Sequence, residues 1–96
     1  MATYPFDINS LIKICRENDV TTVSLFGSMA RGEATEKSDI DLLVKFGKRK
    51  SLLSVVKLER ELAMALGRKV DLLTEGALSP YIRDNIIHDL ETIYAA

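Results

Sequence analysis

The stretch LFGSMARGEATEKSDIDLLV, residues 25–44, decides how this chain folds. It links two apolar runs, Val20–Phe26 and Asp39–Phe46, whose compositions predict two β-strands. Gly27 ends the first run, and the segment Ser28–Arg31 that follows can form one helical turn. The second strand therefore begins with two acidic residues, although the rest of it has the composition of a buried strand.

Helices are predicted before and after this pair of strands. Asp7 can cap a first helix, and Ser51 can cap a second helix that runs to about Leu66, with Gly67 at its C-terminal cap. The second helix has an apolar stripe that we expect to face inward: Leu52, Val55, Val56, Leu62, Ala63 and Leu66.

The last third of the chain predicts one more strand and one more helix. Lys69–Leu73 has the composition of a third strand, and Ser79 followed by Pro80 is a typical helix start. Glu91–Tyr94 fits either the end of that helix or a short strand. The order of elements predicts an α/β (α+β) fold, with a small mixed sheet of about three strands flanked by helices.

Composition limits the classes of protein to which the chain can belong. Its 96 residues suit a single domain, and a formal net charge of −1 gives no electrostatic reason to bind nucleic acid or an anionic membrane. The one cysteine, Cys15, falls on the apolar face of the first helix, where we expect it to be buried. Because it cannot form an internal disulfide, and because no signal peptide or membrane-spanning run is recognisable, we expect a cytoplasmic location.

The two aspartates that begin the second strand suggest a metal site. Residues two apart on a strand point to the same face, so Asp39 and Asp41 place two carboxylates side by side. Such close negative charges repel each other, and Mg²⁺, which binds carboxylate and phosphate oxygens, would remove that repulsion. The alternative is that Asp39 is a loop or capping residue and Asp41 lies on a solvated strand face.

Two further features favour a phosphate-binding site. Gly27 would let the backbone approach a ligand closely, and Ser28 adds a hydroxyl donor near a helix start. Asp71 is a third aspartate within an apolar strand. All three carboxylates would share one sheet edge with the turn if the second strand is antiparallel to the first and parallel to the third. Taken alone, each feature also fits an ordinary turn or an exposed strand position.

The combined pattern resembles a known family. LFGSMARGEATEKSDIDLLVKF resembles the signature of the polymerase-β-type nucleotidyltransferases, and its Ala30-Arg31-Gly32 extension is closest to the minimal nucleotidyltransferase (MNT) branch. RKVDLLTEGALSPYIRDNI resembles the tail of that branch. The resemblance implies a polymerase-β-like nucleotidyltransferase core, with residues 1–96 forming a single minimal domain.

The resemblance also implies roles for five residues. Asp39 and Asp41 would bind two Mg²⁺ ions that bridge the nucleotide phosphates. Asp71 would help to bind the catalytic metal and promote deprotonation of an attacking hydroxyl. Gly27 and Ser28 would hold the β- and γ-phosphates of a nucleoside triphosphate, with ATP the expected substrate. Two interpretations of Arg31 remain open, a phosphate contact or an ion pair with a nearby carboxylate such as Glu33.

A protein partner is implied by the resemblance alone. MNT proteins pair with a HEPN-domain ribonuclease toxin, act as its antitoxin and add AMP to a tyrosine of that toxin, so a hetero-oligomer with the toxin is expected. Neither nucleic acid nor a membrane is expected as a partner. The alternatives are a non-catalytic antitoxin that neutralises its partner by binding, and a nucleotidyltransferase that modifies a small molecule.

The remaining charged residues give weaker signals. A basic cluster follows the second strand and fits either a solvated turn or a docking patch for an acidic partner: Lys45, Lys48, Arg49 and Lys50. His88 is the single histidine and has no second histidine or cysteine at metal-ligand spacing, so we expect it to be structural or exposed.

Overall fold

A computed structural model of the chain describes residues 4–27, 30, 32, 35, 38–74, 80, 84, 86 and 90–96. The described elements are α1 (Ile8–Glu17), β1 (Val20–Phe26), β2 (Ile40–Phe46), α2 (Leu52–Leu66), β3 (Val70–Thr74) and β4 (Glu91–Ala95). This confirms the α+β class, with four described strands rather than about three. Among these residues no helix has both the length and the hydropathy that crossing a bilayer requires.

Both described helices begin at the residues that the sequence predicts, and α2 also ends where the sequence predicts. The Asp7 carboxylate accepts hydrogen bonds from the backbone N–H groups of Asn9 and Ser10 at the start of α1. Ser51 Oγ accepts one from the N–H of Ser54 at the start of α2. Gly67 ends α2 in the left-handed region, at φ +68°. These caps satisfy backbone groups that would otherwise lack partners at the helix ends.

The sheet has the order β3-β2-β1-β4. β1 is antiparallel to both β2 and β4, whereas β2 and β3 are parallel. A parallel pair needs a long crossover connection, and α2 provides it. The strand directions required to gather the aspartates and the Gly27 turn at one sheet edge are therefore confirmed.

One face of the sheet packs against both helices. Leu25, Leu42 and Leu72 lie side by side on this face, and all three are buried. The core cluster joins strand residues to Leu11, Cys15, Leu58 and Leu62 of the helices. Burial raises the pKa of the Cys15 thiol to about 12, with Glu61 adding a smaller effect in the same direction.

Several predicted details differ from the structure. β4 resolves the ambiguity at Glu91–Tyr94, because this segment pairs with β1 as an antiparallel strand. Asp39 lies just before β2, which begins at Ile40, and β3 begins at Val70 rather than Lys69. The predicted start of the last helix at Ser79 lies outside the described residues.

The predicted inward stripe of α2 is wrong at two positions. Leu52 and Val56 are 79% and 39% exposed, whereas Leu58, which the stripe omitted, is buried beside Leu62. At about 100° per residue, Leu52 and Val56 lie roughly 100° and 140° around the helix from the line through Leu58 and Leu62. Two apolar rows with four-residue spacing run along this helix, and only one of them packs against the sheet.

Candidate functional site

The turn after β1 lies against an acidic side chain of β2. Gly27 follows Phe26, the cross-strand partner of Asp41, and adopts a φ of +71°. A Cβ atom at position 27 would lie 2.5 Å from Oδ2 of Asp41. Glycine is therefore required here for two reasons, the left-handed backbone and the close approach of a carboxylate.

Asp41 and Asp71 are neighbours across the parallel pair β2–β3. Both are half-buried, and both point away from the helices, because the residues that alternate with them fill the core. Adjacent strands are about 4.8 Å apart, so about that distance separates the backbone positions that carry the two carboxylates. The sheet thus brings together three predicted site residues, Gly27, Asp41 and Asp71.

Asp39 stands at the entrance to β2, two residues before Asp41. Its Oδ2 lies 4.0 Å from Nζ of Lys69, and the two side chains are 45% and 70% exposed. An ion pair so exposed contributes only about 0–1 kcal/mol, so Asp39 can leave Lys69 at little cost. Asp39 is on the same side of the sheet as Asp41 but is paired with a lysine in this structure.

Arg68 holds the segment that leads into Asp39. Its Nη1 donates hydrogen bonds to the carbonyl oxygens of Thr35 and Ser38, at 3.1 and 2.9 Å, and its Nη2 donates one to Pro5, at 3.4 Å. Thr35 and Ser38 are also bonded to each other, with one hydrogen bond from Thr35 N–H to Ser38 Oγ at 2.8 Å. One guanidinium therefore ties Pro5, Thr35 and Ser38 to the residues that lead into β3.

Glu59 stabilises the outer edge of the sheet beside Asp71. β3 is an edge strand, and the N–H of Leu72 donates a 3.1 Å hydrogen bond to Glu59 Oε2 of α2. This helix carboxylate satisfies a backbone donor of the edge strand that would otherwise lack a partner. Sequence reasoning missed Arg68 and Glu59, since both act on backbone groups that are distant in sequence.

The open face of the sheet continues from the two aspartates into a shallow cavity of about 180 Å³. Leu43, two residues after Asp41, lies in its lining, together with hydroxyl side chains of β1 and β4. Among these, Ser24 is buried and lies 3.0 Å from the Thr92 hydroxyl. A substrate bound at the aspartates would therefore find both apolar and hydroxyl groups next to it.

The basic cluster after β2 lies at the opposite end of that strand. Lys50 Nζ is 2.6 Å from Oδ2 of Asp19, and Lys48 Nζ is 3.9 Å from its Oδ1. Its hydrogen bond with Lys50, with a smaller contribution from Lys48, lowers the pKa of Asp19. Two of the four basic residues thus pair with an aspartate of this chain.

Four predicted functional or charged residues lie outside the described part of the chain: Ser28, Arg31, Glu33 and His88. Their expected roles stay predictions, and the choice between a phosphate contact and an ion pair for Arg31 stays open.

The carboxylates fit a magnesium site that the substrate completes. Among the described residues, no group of three or more histidine, cysteine or acidic side chains is placed to hold a metal ion. Mg²⁺ is usually held by one or two carboxylates together with substrate phosphates, and the pair Asp41 and Asp71 meets that need. Metal binding by Asp39, Asp41 and Asp71 stays a prediction.

Comparison with known proteins gives one clear family match. The profile of the family described as polymerase beta, nucleotidyltransferase matches residues 9–96. A Methanocaldococcus jannaschii protein with the provisional name protein adenylyltransferase is 46% identical over 79 residues, which are 82% of this chain and 85% of that protein. Protein adenylyltransferase MntA of Thermococcus cleftensis is 39% identical over 71 residues, 74% of this chain and 72% of that protein.

Solved structures agree with the sequence comparison. One described as a toxin–antitoxin with AMP-PNP is 27% identical and superposes with a TM-score of 0.81, covering 92% of this chain and 73% of that chain. Its fold is therefore close to that of the present chain over nearly the whole length.

Proposed function

The chain belongs to the polymerase β nucleotidyltransferase family, and from that premise we propose that it transfers AMP from ATP to a protein hydroxyl. The proposed acceptor is a tyrosine of a HEPN-domain ribonuclease toxin, and the chain would act as the antitoxin of that toxin. We propose that residues 1–96 work as one minimal nucleotidyltransferase domain in the cytoplasm, where ATP is available and the free thiol of Cys15 stays reduced.

The observation that carries this proposal is the shared location of Gly27, Asp41 and Asp71. A glycine in the left-handed region lies against one carboxylate, and the second carboxylate is the cross-strand neighbour of the first. Because Gly27 has no side chain, phosphate oxygens can approach the backbone at the end of β1. The paired carboxylates suit a metal ion that would neutralise the charge of those oxygens. Relatives named protein adenylyltransferases support AMP as the transferred group.

The proposed reaction breaks one phosphorus–oxygen bond and forms another. The acceptor oxygen bonds to the α-phosphorus, the bond from that phosphorus to the bridging oxygen breaks, and pyrophosphate leaves. Asp71 accepts the proton of the acceptor hydroxyl, Gly27 and Ser28 bind the β- and γ-phosphates, and Arg31 is a candidate for a further phosphate contact. Magnesium, when bound by Asp39, Asp41 and Asp71, would supply positive charge against the phosphates, with two ions as the proposed number.

Replacing two carboxylates tests catalysis separately from binding. Asp39→Asn with Asp41→Asn removes two charges at nearly constant volume, so the variant should fold and still bind the HEPN-domain protein. Because metal binding is lost, AMP transfer measured as added mass on that protein should fall by several orders of magnitude. Glu17→Gln with Asp84→Asn is a matched control, since it removes two exposed acidic charges elsewhere.

Protection of cells decides between the enzyme and a non-catalytic antitoxin. If the double variant protects as well as the parent while no AMP is found on the toxin, neutralisation by binding replaces the proposed function. If the parent modifies an added small alcohol but never the HEPN-domain protein, the acceptor is a small molecule instead.

A further inference from the structure

The outer face of α2 exposes large apolar side chains. Within the described residues, all four exposed large hydrophobic residues lie on this helix: Leu52 at 79%, Leu53 at 78%, Val56 at 39% and Met64 at 86%. Large exposed apolar side chains are normal when scattered singly, whereas a group of them on one face of a helix is typical of an interaction surface. Leu52, Leu53 and Val56 lie in the first two turns of α2, and Met64 lies about 12 Å further along the helix than Val56. We call these four residues the α2 patch.

Helical geometry places the patch on one side of α2. At about 100° per residue, its four members lie between roughly 100° and 160° from the line of Leu58 and Leu62, which packs against the sheet. The patch therefore points away from the core along most of the helix, whose 15 residues span about 22 Å. Packing within this chain does not explain these apolar residues.

The charges on the same face are all positive. Lys57 and Arg60 are exposed, and no described acidic side chain pairs with either. Around the helix Arg60 lies between the patch residues, and Lys57 lies about 20° beyond Met64. The neighbouring acids are used elsewhere, because Glu59 accepts the N–H of Leu72 and Glu61 lies close enough to Cys15 to affect its pKa. An apolar surface that carries the cations Lys57 and Arg60, with the exposed Glu61 outside the arc of the patch, is complementary to an acidic, apolar partner.

A cavity extends this basic surface toward α1. It has a volume of about 160 Å³, and Lys57 lies in its lining with Lys50, Ser54 and Asn18. An acidic side chain of a partner would find the Lys57 ammonium and the Ser54 hydroxyl there, whereas Lys50 is already paired with Asp19. The cavity lies at the N-terminal end of α2, so the α2 patch and the cavity can be covered together.

We propose that the α2 patch docks an acidic amphipathic helix of the protein acceptor. This inference rests on the proposed function, since it takes the HEPN-domain protein as the partner. A second copy of this chain is disfavoured, because two α2 faces that meet across a two-fold axis would bring the cations Lys57 and Arg60 of both copies into one interface. Docking along α2 leaves the open face of the sheet, with Asp41 and Asp71, accessible to the acceptor hydroxyl.

Two variants test the proposal against a matched control. Leu53→Ser with Met64→Ser removes apolar area, and Lys57→Glu with Arg60→Glu reverses the charge. Lys13→Glu with Arg16→Glu is the control, because these exposed residues have the same spacing on α1. The dissociation constant for the HEPN-domain protein from the same genome is measured by calorimetry without ATP, after thermal unfolding has shown that each variant folds.

Each α2 variant should weaken binding at least about tenfold, as expected for residues at the centre of an interface, while the α1 control should bind nearly as the parent does. At saturating partner concentration the α2 variants should retain the parent's rate of AMP transfer. Parent-like binding by both α2 variants, equal losses in the α1 control, or a parent dimer that the α2 variants abolish would each overturn the docking proposal. Absence of binding by the parent chain would also overturn it.

Calorimetry keeps this result separate from the proposed function. If no AMP is transferred but the α2 variants lose binding, docking stands and catalysis fails. If AMP is transferred while the α2 variants bind normally, catalysis stands and docking fails.

Discussion

Replacing Gly27 with alanine should disturb the site more than it disturbs the fold. The left-handed φ of +71° costs an alanine about 1–2 kcal/mol of unfolding free energy. In addition, the new methyl group would lie 2.5 Å from Asp41 Oδ2, which must move. Turning a side chain away from its preferred rotamer costs about 0.5–1.5 kcal/mol, so the total loss should be about 1.5–3.5 kcal/mol.

Gly67 offers a matched control for the backbone effect. It has nearly the same φ, +68°, but a Cβ atom there meets nothing within 4 Å. Gly67→Ala should therefore lose only the backbone contribution of about 1–2 kcal/mol. For a domain of this size, each kcal/mol lowers the Tm by roughly 4–8 °C, so thermal unfolding can separate the two variants.

The rate of AMP transfer should separate Gly27→Ala from Gly67→Ala further than thermal unfolding does. A displacement of about 1 Å in a reacting group can cost on the order of 100-fold in rate, so Gly27→Ala should lose most AMP transfer while Gly67→Ala keeps it. Asp41→Ala removes the atoms that clash and leaves a Cβ at 3.7 Å, an ordinary contact. In that background Gly27→Ala should cost no more stability than Gly67→Ala. Equal costs for the two glycine variants in the parent chain, with transfer intact in both, would refute this account of the turn.

Three other substitutions or treatments test single contacts. Arg68→Ala removes the donor to Ser38 and should lower the unfolding free energy by about 1–3 kcal/mol, measured in urea. The folded variant should also need more Mg²⁺ for half-maximal AMP transfer. Arg68→Lys should recover part of both losses. Glu59→Leu leaves the Leu72 N–H without an acceptor and should cost about 1–3 kcal/mol, whereas Glu59→Gln, which keeps an acceptor oxygen, should cost clearly less. Cys15 should resist alkylation at pH 8 until the protein unfolds, because it is fully buried with its pKa raised from 9.0 to about 12. Since a raised thiol pKa adds stability only while the thiol is protonated, the free energy of unfolding should decline as the pH rises from about 9 to about 12. Rapid labelling of the folded protein would contradict the burial.

Local signals in the sequence were sufficient for the two described helices and most of the sheet. Asp7, Ser51 and Gly67 mark helix ends through contacts within three or four residues, and such signals can be interpreted without a partner segment. β4 could not be assigned, because its strand character depends on pairing with β1 some 70 residues earlier. Short segments of this kind take their structure from the neighbour that they join.

Of the candidate site, the sequence indicated only the three aspartates and the glycine turn, and it did not indicate the residues that support them. Arg68 was missed because its three acceptors lie in segments 30 to 63 residues away, and nothing near position 68 indicates them. The inward stripe of α2 was assigned incorrectly for a different reason. Leu52 and Val56 have the same four-residue spacing as the buried pair Leu58 and Leu62, so spacing alone cannot identify the row that faces the sheet.

Packing on one face of the sheet fixes the site on the other face. Leu42 lies beside Leu72 in the core, and the same register places Asp41 beside Asp71 on the open face. A slip of one residue in β3 would bring Asp71 into the core, where an unpaired charge is far more costly than the loss of one apolar contact. The hydrophobic core therefore selects the register that joins the two carboxylates before any substrate binds. Because Glu59 bonds to Leu72, a core residue next to Asp71, stability and geometry of the site depend on the same strand.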